Sequence, residues 1–169
     1  MLTLQTSYAL LLDLAAELGY RMMCTGAEVY RVEESVQRVL QAYGVESGEI
    51  FAIPNCINVS LTDPDGQSST RIRRIPSHDT DVDLLMAYNE LCRQVCQSPP
   101  PPVELRQRME AILHQRRTYS FPMYLLSWFV GAGSYALFFR GSLRDGLCGG
   151  LCGLAMGLCG QGMGWPETN

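Results

Sequence analysis

Apolar residues recur at helical spacing in the first part of the chain and at alternate positions after it, so helices are expected to give way to strands. Leu4 to Met23 predicts a first helix, mostly apolar, with Gly19 as a weak point. Thr25-Gly26-Ala27-Glu28 has the form of a capping box, in which the threonine hydroxyl accepts from the Glu28 amide and the carboxylate reaches back. Helix two follows, with Val29, Val32, Val36, Val39, Leu40 and Tyr43 on one stripe and Gly44 as its stop.

From Glu49 the period becomes two. Ile57, Val59 and Leu61 alternate with Asn58, Ser60 and Thr62, the pattern of a half-buried strand. Asp63-Pro64-Asp65-Gly66 is turn chemistry, so Ser69 to Ile75 should return as the partner strand, with Glu49 to Ile53 as a third. Thr80-Asp81-Val82-Asp83 offers an N-cap for a third helix to about Gln97, burying Leu84, Leu85, Tyr88, Leu91 and Val95. Pro99 to Pro102 reads as a short polyproline spacer. A fourth helix, Val103 to about Thr118, sets Leu105, Met109, Ile112 and Leu113 against Arg106, Arg108, Arg116 and Arg117. It suits either a helix at the lipid headgroups or a solvated linker.

The pattern then breaks. Phe121 to Phe139 carries no charge, and at about 1.5 Å per residue it reaches roughly 28 Å, against a hydrocarbon core of about 30 Å. Gly146 to Pro166 is also uncharged, so a second span is expected. Four arginines precede the first span and two, Arg140 and Arg144, follow it, which puts the N-terminal domain in the cytoplasm. Gly149, Gly153 and Gly157 form a small-residue ridge, which implies a partner helix. Cys148, Cys152 and Cys159 lie near that face, where packing is a better reading than metal binding. Neither span contains an acid or a histidine, so no intramembrane ion relay is visible.

The mean hydropathy of +0.01 therefore averages an acidic, mixed N-terminal part with an apolar, glycine-rich tail. A net charge of −4 argues against a nucleic-acid binder. Seven cysteines with no CxxC pair and no secretory signal fit a reducing compartment better than a disulfide framework. Tyr8 to Leu18 is not a signal peptide, since it lacks a basic flank and is interrupted by Asp13 and Glu17.

The densest polar stretch is Gly26 to Glu34, where Glu28 and Glu33 flank the valine stripe and Arg31 points further away. Half-buried carboxylates there could serve as acid or base. They could equally pair with Arg71, Arg73 or Arg74 of the hairpin, and spacing favours that structural role. Arg74, His78, Asp79, Asp81 and Asp83 form a second cluster, yet its aspartates fit helix capping. No HExxH, GxSxG or phosphate-binding glycine loop occurs. No cofactor and no metal is expected.

Gly26-Ala27-Glu28-Val29-Tyr30-Arg31-Val32-Glu33, the hairpin, Arg74-Ile75-Pro76 and a helix with Asn89 together resemble the threonine/serine exporter family, in particular its N-terminal domain. The resemblance runs from about Leu10 through the second span. It implies export of threonine, serine or related small organic acids, with a cytoplasmic domain as vestibule or gate. The positions matching the motif are Glu28, Tyr30, Arg31 and Glu33, with Arg74 and Asn89 weaker, as candidates for substrate gating or domain docking. The expected fold is α+β: N-terminal helices with a small antiparallel sheet, then a transmembrane helical hairpin. The expected divisions are a cytoplasmic domain (1–98), a spacer and basic helix (99–118) and an incomplete membrane domain (119–169). The resemblance implies a multi-pass protein of the inner (cytoplasmic) membrane. Two helices cannot enclose a polar path, so the chain reads as a fragment or as a subunit joined by helices of a partner or a second copy. The alternatives are a membrane-tethered domain of hydrolase or ligand-binding type, the former using Glu33 with His78 and Asp79, or a nonfunctional truncated fragment.

Overall fold

Helix α1 (Leu2–Cys24) is the element on which the rest of the N-terminal half is laid. In this computed structural model, which describes residues 2–77, 79–114 and 119–162, the chain falls into two units, Met1–Arg116 and Arg117–Asn169. In the first, α1 packs against α2 (Val29–Ala42), α3 (Val82–Gln97), α4 (Pro102–His114) and strands β2 (Cys56–Thr62) and β3 (Ser68–Arg74). Leu11, Leu14, Ala15, Leu18, Met22 and Met23 are buried, which explains why the helix is apolar nearly all round. Gly19 is where the crossing is tightest: a Cβ there would meet Ile57 and come within 3.3 Å of Val36. The glycine is a packing contact and does not interrupt the helix.

The sheet is antiparallel in the order β1 (Glu49–Ile53), β2, β3. Ile57, Val59 and Leu61 of β2 face the core, as their alternation requires. The Asp63–Gly66 turn closes with Gly66 at φ +81°, and the Asp63 carboxylate accepts from the Asp65 and Gln67 amides.

Both early helices end in Schellman motifs. At α2 the Gly44 amide donates to Gln41 and the Val45 amide to Leu40, with Gly44 at φ +79°. The same arrangement ends α1, where Gly26, at φ +89°, donates to Met23 and Ala27 donates to Met22. The expected capping box is therefore absent. Thr25 belongs to the end of α1, where its buried hydroxyl donates to the Met22 carbonyl, and Glu28 is the N-cap of α2 without a side-chain capping bond.

The cap of α3 is Asp81, whose carboxylate accepts from the Leu84 amide at 3.0 Å. Proline 102 opens α4 and is not part of the spacer, because a first-turn residue needs no amide hydrogen. Tyr43 ties the spacer down by donating its hydroxyl to the Pro100 carbonyl at 2.6 Å. Helix α4 is packed into the first unit and is not a free linker. Leu105 and Met109 are buried in the first unit's core, each worth about 1.5–3 kcal/mol in transfer terms.

The second unit pairs α5 (Phe121–Phe138) with α6 (Leu143–Gly162). Among the described residues α5 alone is long and apolar enough to cross a membrane, and 6% of its apolar window is buried, so it is not a core helix. The second span was expected over Gly146 to Pro166, of which residues 163–166 lie outside the described residues. Over the described part, the glycines of α6, with Arg144 and Asp145 in its first turn, keep its mean hydropathy under that of α5.

Candidate functional site

Helix α2 buries Val32, Val36 and Val39, which leaves Arg31, Ser35 and Arg38 along the flank beside that stripe. Helix α3 presents Asn89, Arg93 and Cys96 towards them, and an open groove of about 470 Å³ lies between the two. Of the residues singled out by motif, the structure brings Arg31 and Asn89 into this groove. Glu28 and Tyr30 flank Arg31: the guanidinium lies 3.4 Å from the Glu28 carboxylate and donates to the Tyr30 hydroxyl at 3.4 Å. The hydroxyl and carboxylate raise the arginine's already high pKa, so it is a fixed cation. Arg38 and Arg93 pair with Glu34 and Glu90 on their own helices, and the hydrogen bonds from Arg93 and Gln94 hold the Glu90 carboxyl below its usual range. Among the described residues no carboxylate lines the groove itself, so it offers guanidinium, amide, hydroxyl and thiol groups to a ligand.

The other motif residues lie elsewhere. Glu33 points to the sheet, where its carboxylate accepts the Ala52 amide of β1 at 2.7 Å. Arg74 ends β3 opposite Cys56, is exposed, and does not line this groove. His78 lies outside the described residues. Around it, Asp81 caps α3 and the Asp79 and Asp81 amides donate to the Cys24 and Thr25 carbonyls, which fastens this loop to the end of α1. Among the described residues no group of three His, Cys, Asp or Glu side chains is placed to hold a metal ion.

The hairpin arginines do not pair with Glu28 or Glu33. Register sets Arg71 opposite Val59 and Arg73 opposite Ile57, so both reach over the core face of the sheet towards α1. There Arg71 pairs with Asp13, and Arg73 pairs with Glu17 at 2.7 Å while standing 5.9 Å over the Tyr20 ring. Glu17 also holds Arg21 at 2.7 Å, and Arg21 donates onward to the Met109 carbonyl at 2.9 Å. Such inward charge on an edge strand discourages pairing with a foreign strand. The signal for this network was present as Asp13, Glu17 and Arg21 at four-residue spacing in an apolar helix, with Arg71 and Arg73 two apart.

In the second unit the glycine ridge meets the chain's own α5. A Cβ on Gly149 would lie 3.2 Å from the Ala132 carbonyl oxygen and from the Ala136 methyl. One on Gly153 would strike the Trp128 carbonyl, and one on Gly157 would lie 3.0 Å from the Trp128 indole. Gly133 of α5 answers with the same closeness to the Gly146 carbonyl, at 2.9 Å. The ridge is thus occupied within this chain and is no longer an argument for a helix from another subunit.

A family model described as "Putative threonine/serine exporter" matches residues 13–167. The chain belongs to that family. No curated protein and no solved structure gives a significant match. The threonine/serine exporter match begins at Asp13 in α1 and runs past α6, so it takes in most of both units. Membership in an exporter family and the membrane-length α5 assign the chain to a membrane and to handling a small substrate.

Proposed function

We propose that the protein contributes to export of small amino acids, threonine and serine, or of related small organic acids, as a multi-pass component of the inner (cytoplasmic) membrane and not as an enzyme. The first unit is the cytoplasmic vestibule or gate. Supporting this orientation, Arg106, Arg108, Arg116 and Arg117 precede α5 while Arg140 and Arg144 follow it. Helices beyond α5 and α6 complete the polar path, because a transport site lies between packed helices near the midplane.

In this reading the α2–α3 groove receives the substrate. Arg31 takes the carboxylate in a forked, charge-assisted contact, and Asn89 supplies a second donor. Glu28 and Tyr30 hold Arg31 in place, Glu33 docks α2 on the sheet, and Arg74 serves docking to a neighbouring element. The absence of a lining carboxylate favours an anionic group, which keeps small organic acids within the substrate class.

The observation that carries the reading is the exporter match over nearly the whole chain. Its test is efflux of labelled threonine from preloaded cells carrying Arg31→Gln or Asn89→Ala at the native locus. Each substitution should lower efflux several-fold with the protein still present in the membrane. Undiminished efflux in both would remove the groove from the path.

A further inference from the structure

An antiparallel sheet with one face on the core ordinarily shows polar side chains on the other. The outward face of this sheet departs from that pattern. Register places Phe51, Asn58 and Ile72 in one row across the three strands, on the side away from Ile57, Val59 and Leu61. Phe51 and Ile72 are each 63% exposed, and Ile53, in the next row, is 45% exposed. Between Phe51 and Ile72 the Asn58 amide oxygen is buried and accepts no hydrogen bond from any described residue. Such an oxygen costs free energy until a donor reaches it.

Charge adds a direction. Glu49 of β1 and Arg74 of β3 stand at diagonally opposite corners around Asn58, since Glu49 shares the row of Ser60 and Arg74 the row of Cys56. Both are exposed, and neither forms an ion pair with a described residue.

We infer that this face is a two-fold contact between two copies of the chain. With the symmetry axis lying between the faces, over Asn58 and along the diagonal towards Ile53, Glu49 of each copy meets Arg74 of the other. The strands then cross at a steep angle, as in orthogonal sheet packing. The Asn58 amide, turned outward, exchanges hydrogen bonds with its counterpart, and Phe51 and Ile72 of the facing copy close over that pair. A purely apolar partner would leave Glu49, Arg74 and the amide unmatched, whereas the same face turned about the diagonal complements all of them. From strand spacing and rise the patch covers on the order of 300 Å² per copy, against about 800 Å² in a standard stable interface. The contact is therefore weak between free molecules and is supported by confinement of both copies to one membrane.

The test is disulfide cross-linking in native membranes, with the full chain co-expressed under two tags of different length. Ile53→Cys, close to the axis, should give a mixed-tag dimer under mild oxidation at several times the yield of the parent chain, whose own cysteines include Cys56 on this face. Met86→Cys, exposed on α3, should stay at the parent yield. Glu49→Arg or Arg74→Glu, added to Ile53→Cys, should each lower the dimer about fivefold. The two reversals together should restore it, which separates a lost contact from a misfolded chain. No mixed dimer above the parent yield from Ile53→Cys would overturn the contact. So would a yield that neither single reversal changes, an equal yield from Met86→Cys, or a cross-linked product whose mass shows a different protein in place of the second copy.

Discussion

The carboxylate of Glu33 in α2 accepts the main-chain amide of Ala52 in β1 at 2.7 Å. Strand β1 is an edge, and this amide points away from its ladder partner, so a side chain from the helix supplies what a fourth strand would. Glu33, a candidate for substrate gating or domain docking, thus holds helix to sheet.

Removing the acceptor should therefore cost stability. Glu33→Ala leaves a half-buried amide unpaired, and a loss of about 1–3 kcal/mol is expected from the unfolding midpoint in urea. Glu33→Gln keeps an acceptor oxygen and should cost less than half as much. Equal effects from the two variants would show that the charge matters and the hydrogen bond does not.

The α5–α6 contact makes a sharper distinction among glycines. Gly153→Leu puts a side chain into the Trp128 carbonyl and the Ala132 methyl, whereas Gly131 has nothing within 4 Å of a Cβ. Gly153→Leu should abolish efflux and several-fold reduce the monodisperse protein recovered from membranes. Gly131→Leu should do neither. A harmless Gly153→Leu would mean that the two helices do not pack as described.

Cysteine reactivity tests the packing of α3. Burial pushes the Cys92 thiol up to about 12 from its ordinary value of 9.0, while Cys96, one turn on, is exposed. Because the thiolate is the reactive form, Cys96 should react with a disulfide reagent at pH 8 and Cys92 only after unfolding. The same shift works against the folded state in alkali. The native thiol keeps its proton above pH 9 and the unfolded one does not, so this contribution is intact below pH 9 and drains away towards pH 12. Prompt labelling of Cys92 in the folded protein would contradict its burial.

Local signals made much of the first unit legible. The alternation at Ile57, Val59 and Leu61, the Asp63–Gly66 turn, the Asp81 cap and the Gly44 stop each depend on a few adjacent residues, and each is found as expected. The capping box at Thr25 failed for a local reason too: the same four residues contain Gly26, and a glycine at positive φ ending α1 took precedence. What spacing could not reveal was which distant groups would meet. Asp13 and Arg71 are 58 positions apart, and Arg31 and Asn89 come from different helices, so neither pairing has a periodic trace. The glycine ridge announced a close helix but not whose, and α5 answers from the same chain. Helix α4 looked basic and unattached because its two buried residues, Leu105 and Met109, are few beside its arginines.

The most direct measurement of the central claim is the rate at which cells preloaded with labelled threonine release it, with the native gene intact and with it deleted. Slower release and a higher internal threonine level on deletion, both restored by the intact gene, are the expected result. Identical release in the two strains, with serine and small organic acids tested in the same way, would contradict a role in export.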